Sequence, residues 1–192
     1  MARALSLPFD LWLVRSLLLP GCEYLPLGVL DSGGAVLSHR DVPQGEDPSV
    51  FEIDSLIRHE RAQLEREQRF YREGSGNPSV KDRTVVLVDD GTTSRTAIFA
   101  AVEVFRQRSA AKVIVALPAA CADLRSQLRM VADRVITGSG SVPPAFVAEW
   151  YKEFQPVKND EIPILLSESR RTGSFSEKPS PGTTGLGHAV AV

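Results

Sequence analysis

Apolar positions in this chain fall into short continuous runs and longer periodic ones. Val85-Val86-Leu87-Val88 and residues 112–117 are continuous, rich in valine, and closed by polar residues or proline. Runs of this kind predict strands buried on both faces, as in a parallel sheet. Residues 134–137 predict a further short strand. Between these runs the period changes. Residues 97–105 begin a helix that reaches about residue 108, and Leu124, Leu128 and Val131 fall on one side of a helix over 119–131. The order strand, helix, strand, helix, strand implies right-handed crossovers and a parallel central sheet flanked by helices, an α/β fold.

The flanking segments carry weaker patterns. Residues 1–5 read as the end of a helix that Pro8 breaks, and residues 9–15 as a buried strand. Pro20-Gly21 marks a turn. Residues 25–30 and 35–37 flank Asp31-Ser32-Gly33-Gly34, which predicts a small hairpin with a four-residue loop. After a polar connection, Asp47 and Pro48 predict an N-cap and first turn. That helix reaches about residue 73, with Ile53, Ile57, Leu64 and Tyr71 at helical spacing. Its mixed charges, such as Asp54 with Arg58 and Glu65 with Arg69, read as a solvated face. Residues 138–144 predict a flexible connection. Residues 146–154 predict a short aromatic helix, read as packed on the domain in preference to stacking on a base, and residues 158–171 a polar helix interrupted by Pro163. From Thr172 onward Ser, Gly, Pro and Thr dominate, which predicts one domain over 1–171 and a disordered tail over 172–192.

Composition narrows the function classes. A net charge of −2 over 192 residues gives no reason to expect nucleic acid as a partner. No apolar run of the roughly eighteen residues a membrane span needs is present. Cys22 and Cys121 are the only cysteines, which fits free thiols in a cytoplasmic setting rather than a disulfide. His39, His59 and His188 are scattered, so Cys and His form no metal-ligand cluster.

The chemistry concentrates after the first central strand, at Asp89-Asp90-Gly91-Thr92-Thr93-Ser94-Arg95-Thr96. Two carboxylates end a buried strand, and a loop of glycine and hydroxyl residues leads into a helix. The free N–H groups and positive dipole end of that helix suit an anion. The carboxylates suit ribose hydroxyls or a metal-bound polyol. Together they describe a site for a sugar phosphate. The plain structural alternative is that the two aspartates end the strand and one caps the helix.

In that order the stretch resembles the 5-phosphoribosyl diphosphate (PRPP) loop of the type I phosphoribosyltransferases. Asp89 and Asp90 match the acidic pair, Gly91 matches a common third position, and Ser94 replaces a usual threonine. Arg95 stands where glycine is usual, and Ala97 where Thr or Ser is usual. The resemblance extends to about residue 170, toward a bacterial phosphoribosyltransferase-like group. It includes residues 11–14, Pro20-Gly21, the hairpin over 28–37, the Glu/Arg-rich helix ending in Tyr71-Arg72, and Trp150-Tyr151-Lys152-Glu153-Phe154. Ser16 stands where that group usually has lysine.

The resemblance implies transfer of a 5-phosphoribosyl group from PRPP to a base or other nitrogen nucleophile, under a hood made by the hairpin and C-terminal segments. Asp89 and Asp90 would hold the 2′- and 3′-hydroxyls, directly or through Mg²⁺ and water. Thr92, Thr93, Ser94 and Thr96, with the backbone N–H groups of residues 92–96, would cradle the 5′-phosphate. Arg95 would either fill the space a glycine leaves or offer its guanidinium to the phosphate. Mg²⁺ is the implied cofactor, and a homodimer the implied assembly. Family members carry a strand and an Arg-Gly-Gly pyrophosphate loop ahead of the residues matching Ala2-Arg3-Ala4-Leu5. By that comparison the chain begins inside the following helix, and one sheet edge is expected to be open. A non-catalytic relative that binds a nucleotide, a sugar phosphate or a protein partner is the alternative function.

Overall fold

The computed structural model bears out the alternating strands and helices and describes residues 2–5, 7–18, 26–31, 36–38, 50–72, 79–90, 95–138, 151–153, 157–172 and 189–191. Its elements are α1 (Ala2–Leu5), β1 (Val14–Leu18), β2 (Pro26–Asp31), β3 (Val36–Ser38), α2 (Val50–Arg72), β4 (Thr84–Val88) and α3 (Arg95–Gln107). They continue as β5 (Lys112–Leu117), α4 (Ala122–Val131), β6 (Arg134–Thr137), α5 (Glu161–Thr172) and β7 (Ala189–Ala191). One sheet is parallel, in the order β6-β5-β4-β7. The other is antiparallel, in the order β1-β2-β3.

Residue alternation in the parallel sheet decides what each face meets. Val85, Leu87, Val113, Val115 and Leu117 cluster with Ile98, Ala101, Val102 and Phe105 of α3 and with Leu124 and Leu128 of α4. Val86 and Ala116 point the other way, against Leu7, Val88 and Ile114. Three consecutive buried residues, Val85 to Leu87, give the two-sided burial that the apolar run predicts. Phe105 is fully buried and meets Trp12 edge-on, with ring centroids 4.5 Å apart. A second, smaller core joins the antiparallel sheet to α2 through Leu17, Leu30 and Leu64.

Several boundaries differ from the expected ones, for local reasons. Residues 9–13 are not a strand. The Asp10 carboxylate accepts the Leu11 N–H at 2.7 Å, taking a donor that a ladder would need. Buried Arg72 grips both Asp10 oxygens, at 3.1 and 3.4 Å, and donates to the Leu11 carbonyl. The Phe9 N–H and carbonyl are both bonded to the Ser169 hydroxyl, at 2.8 and 2.9 Å, which pins this segment to α5. Helix α4 starts at Ala122 rather than 119: Ala119 and Ala120 are buried outside the helix after Pro118, and Cys121, at the N-cap, is extended. Pro163 does not interrupt α5. It lies in the first turn, where its missing N–H has no intrahelical acceptor to lose. Asp31 belongs to β2 rather than to the hairpin loop, and residues 32–35 lie outside the described ones. The Asp47–Pro48 cap also lies outside them. Tyr151, Lys152 and Glu153 form a bend, not part of a helix; residues 146–150 and 154 lie outside the described ones.

The expected tail needs one correction. Ala189–Ala191 is a strand, β7, in register with β4 at Thr84↔Ala189, Val85↔Val190 and Val86↔Ala191. The edge of β4 away from β5 is therefore paired.

Candidate functional site

All strands of the parallel sheet point the same way, so their carboxyl ends gather β4, β5 and β6 at one rim, where ligands sit in such sheets. Asp89 follows β4 directly. Its N–H donates to the Ala116 carbonyl at 3.3 Å, extending the contact with β5 by one residue, and its side chain is half-buried. Asp90 is exposed. The two carboxylates thus stand where the ladder ends and the chain turns toward α3. Gly91, Thr92, Thr93 and Ser94 lie outside the described residues.

Arg95 opens α3, and the first turn of that helix carries no acidic side chain. Its N-terminal dipole end is therefore not offset by a carboxylate of its own turn. Thr96 lies in the same turn; only its backbone is described. The Arg95 guanidinium reaches across to the start of α4. There it donates to Asp123 Oδ2 at 2.5 Å and to Cys121 Sγ at 3.6 Å. The Asp123 bond, foremost, raises the Arg95 pKa against an opposing effect of burial. Arg95 and Asp123 both remain substantially exposed.

Among the described residues, Tyr151 and Gly138 also reach the rim, and neither is recognisable from the loop itself. Tyr151 donates its hydroxyl to the Asp90 backbone carbonyl at 2.7 Å, across 61 positions of sequence. Burial, then the nearby charges of Asp90 and Asp89, raise its pKa above the ordinary 10.0. The phenol is therefore a stable donor at neutral pH. Gly138 follows β6, and its N–H donates to the Leu117 carbonyl at 3.2 Å. A side chain at Gly138 would place Cβ 2.3 Å from the Pro118 carbonyl oxygen, so only glycine fits this approach of the β5 and β6 ends. The aromatic run around Tyr151 and the Gly-Ser-Gly after β6 are the sequence signals for these positions, but neither says what the residue faces.

As a donor set, two carboxylates suit a hard cation that takes its remaining ligands from water and a bound diphosphate, as Mg²⁺ does. Among the described residues no group of three or more His, Cys, Asp or Glu could hold a metal without such help. Among them also, no helix is long and apolar enough to cross a membrane.

Comparison with known proteins adds a family-level likeness. No protein-family model matches the chain. Proteins named "Putative phosphoribosyl transferase" in two Mycobacterium tuberculosis strains, MT0597 of CDC 1551 / Oshkosh and Rv0571c of ATCC 25618 / H37Rv, are each 27% identical to it over 170 residues. The match covers 88% of this chain, which spans 38% of the length of those relatives. The crystal structure of TT1426 from Thermus thermophilus superposes with a TM-score of 0.70 at 29% identity, covering 87% of this chain and 79% of that one. These likenesses support a phosphoribosyltransferase-like family and a matching fold.

Proposed function

We propose that this chain binds PRPP at the rim described above and transfers its 5-phosphoribosyl group to a nitrogen nucleophile. The observation that carries the reading is the exit of β4 into Asp89 and Asp90, followed within a few residues by the N-terminus of α3. Distant relatives named "Putative phosphoribosyl transferase" support it.

In the reaction the bond from C1 of the ribose to the diphosphate oxygen breaks, and a bond from C1 to nitrogen forms. Positive charge develops on the sugar ring between the two events. The Asp89 and Asp90 carboxylates accept hydrogen bonds from the 2′- and 3′-hydroxyls and steady that charge, so the chain acts mainly by positioning and electrostatics. The N–H groups at the start of α3, with the Thr92, Thr93, Ser94 and Thr96 hydroxyls, hold the 5′-phosphate. Arg95 adds its guanidinium to that phosphate when it leaves Asp123. A magnesium ion, when bound, supplies charge neutralisation for the departing diphosphate.

Calorimetric titration with PRPP, with and without Mg²⁺, tests the binding step. Saturable, magnesium-dependent binding that is lost in Asp89→Asn/Asp90→Asn is the expected result. Absence of heat from a folded protein at high ligand concentration would sink the reading. The engagement of Arg95 by Asp123, at a position where glycine is usual, favours a second reading: a sugar-phosphate binder without transfer activity. Binding of PRPP with no pyrophosphate release across a panel of bases would decide for that one.

A further inference from the structure

The register of β4 with β5 runs to Val88↔Ala116, and the Asp89 N–H adds one more bond to the same Ala116 carbonyl. Asp90 lies beyond that register. Its peptide is instead met by Tyr151, whose hydroxyl donates to the Asp90 carbonyl at 2.7 Å. The two aspartates are adjacent in sequence but fixed by different parts of the molecule: Asp89 by the sheet, Asp90 by a segment 61 positions away. Tyr151 is half-buried, and its hydroxyl makes this bond at the exposed rim.

We propose that Tyr151 is the positioning residue of the acidic pair: its hydroxyl fixes the Asp90 peptide and so aims the Asp90 carboxylate at the same ligand as Asp89. This rests on the reading of Asp89 and Asp90 as the groups that hold a sugar diol. Two carboxylates bind a cis-diol well only if both point at it, and a peptide free to rotate at Asp90 would spread the second carboxylate over many directions. Fixing that peptide before the ligand arrives removes an ordering cost from binding, which is how supporting residues act on a site they do not touch. The contact reaches the main chain rather than a carboxylate, so it does not occupy the Asp90 carboxylate oxygens that the ligand needs. Tyr151 thereby contributes to selectivity for sugar phosphates over plain phosphate.

The test compares two probes on the full chain, ribose 5-phosphate and inorganic phosphate, in the native protein and in Tyr151→Phe. Phe keeps the ring and removes only the donor. Affinity for ribose 5-phosphate is expected to fall about tenfold, the size of effect a single hydrogen bond carries, while inorganic phosphate binding stays within about twofold. A second variant, Tyr151→Leu, is expected to lose stability as well but to show the same loss of discrimination. In Asp90→Asn, adding Tyr151→Phe is expected to change ribose 5-phosphate affinity little, because the carboxylate being aimed is gone. If the native protein prefers ribose 5-phosphate and Tyr151→Phe weakens both probes equally, or neither, the positioning role is overturned and the sugar-phosphate site stands. If the native protein shows no preference for ribose 5-phosphate, the diol-binding reading and the inference built on it both fall.

Discussion

Asp123 holds the Arg95 guanidinium between the starts of α3 and α4, with both side chains open to water. Exposed pairs of this kind contribute only ~0–1 kcal/mol, so the exchange of one anionic partner for another is cheap. Asp123→Asn is therefore expected to leave thermal stability nearly unchanged and to strengthen phosphate binding a few-fold, whereas Arg95→Ala weakens it; calorimetry on both variants checks the opposite signs. Tyr151 offers a pH readout of the same rim. Its folded pKa is raised above 10.0, so its stabilising contribution is full below pH 10 and is lost as pH climbs through the folded value. In a spectrophotometric titration one tyrosine is expected to ionise late, and Asp90→Asn to bring it back toward 10. The acidic pair is legible in the sequence because a buried strand running into two carboxylates is a local pattern. Tyr151, Asp123 and Gly138 are not, because their roles depend on which strand ends the fold brings together. Gly138→Ala tests the last of these. With Cβ aimed at the Pro118 carbonyl, the rim must spread, and a loss of about 1–3 kcal/mol is expected from overpacking, measured by chemical denaturation.

Elements show the same division between local and distant causes. The strands β4 and β5 are visible as apolar runs because burial on both faces removes any need for alternation, whereas β6, at the edge of the sheet, alternates exposed and half-buried positions. The tail is the opposite case. Ala189-Val190-Ala191 is three residues long and follows a stretch of Ser, Gly, Pro and Thr, so neither period nor composition marks it as a strand. What makes it one is the edge of β4, whose N–H and C=O groups require partners. Val190→Pro places a proline at the centre of this three-residue strand, opposite Val85. It is expected to cost about 1 kcal/mol, or roughly 2–4 °C in melting temperature for a chain of this size. Size-exclusion chromatography should then show concentration-dependent association, since an uncovered edge recruits other strands. Unchanged melting and a monodisperse monomer would argue that β7 contributes nothing.

At the scale of the whole molecule, buried charge joins the two sheets. Arg108, just past α3, donates to fully buried Asp31 at the end of β2 at 2.6 Å, and its guanidinium stacks 4.5 Å from the Trp12 ring centroid. Arg108→Met keeps the packing volume but takes this guanidinium away from a buried carboxylate. The expected loss is about 2–3 kcal/mol, seen as a lower denaturation midpoint. The α/β layout is readable from the order of periodic segments, but these cross-links are not, since Asp31 and Arg108 each look like surface residues in their own stretch of sequence. The pairing of β4 with β7 has a further consequence, in time rather than in space. Ribosomal synthesis delivers Thr84 about a hundred residues before Ala189. At roughly 5–20 residues per second, the strand that leads into Asp89 and Asp90 waits on the order of five to twenty seconds with one edge bare. An edge left bare for that long is expected to pair with strands of other nascent chains on the same message, a vulnerability that the finished fold conceals.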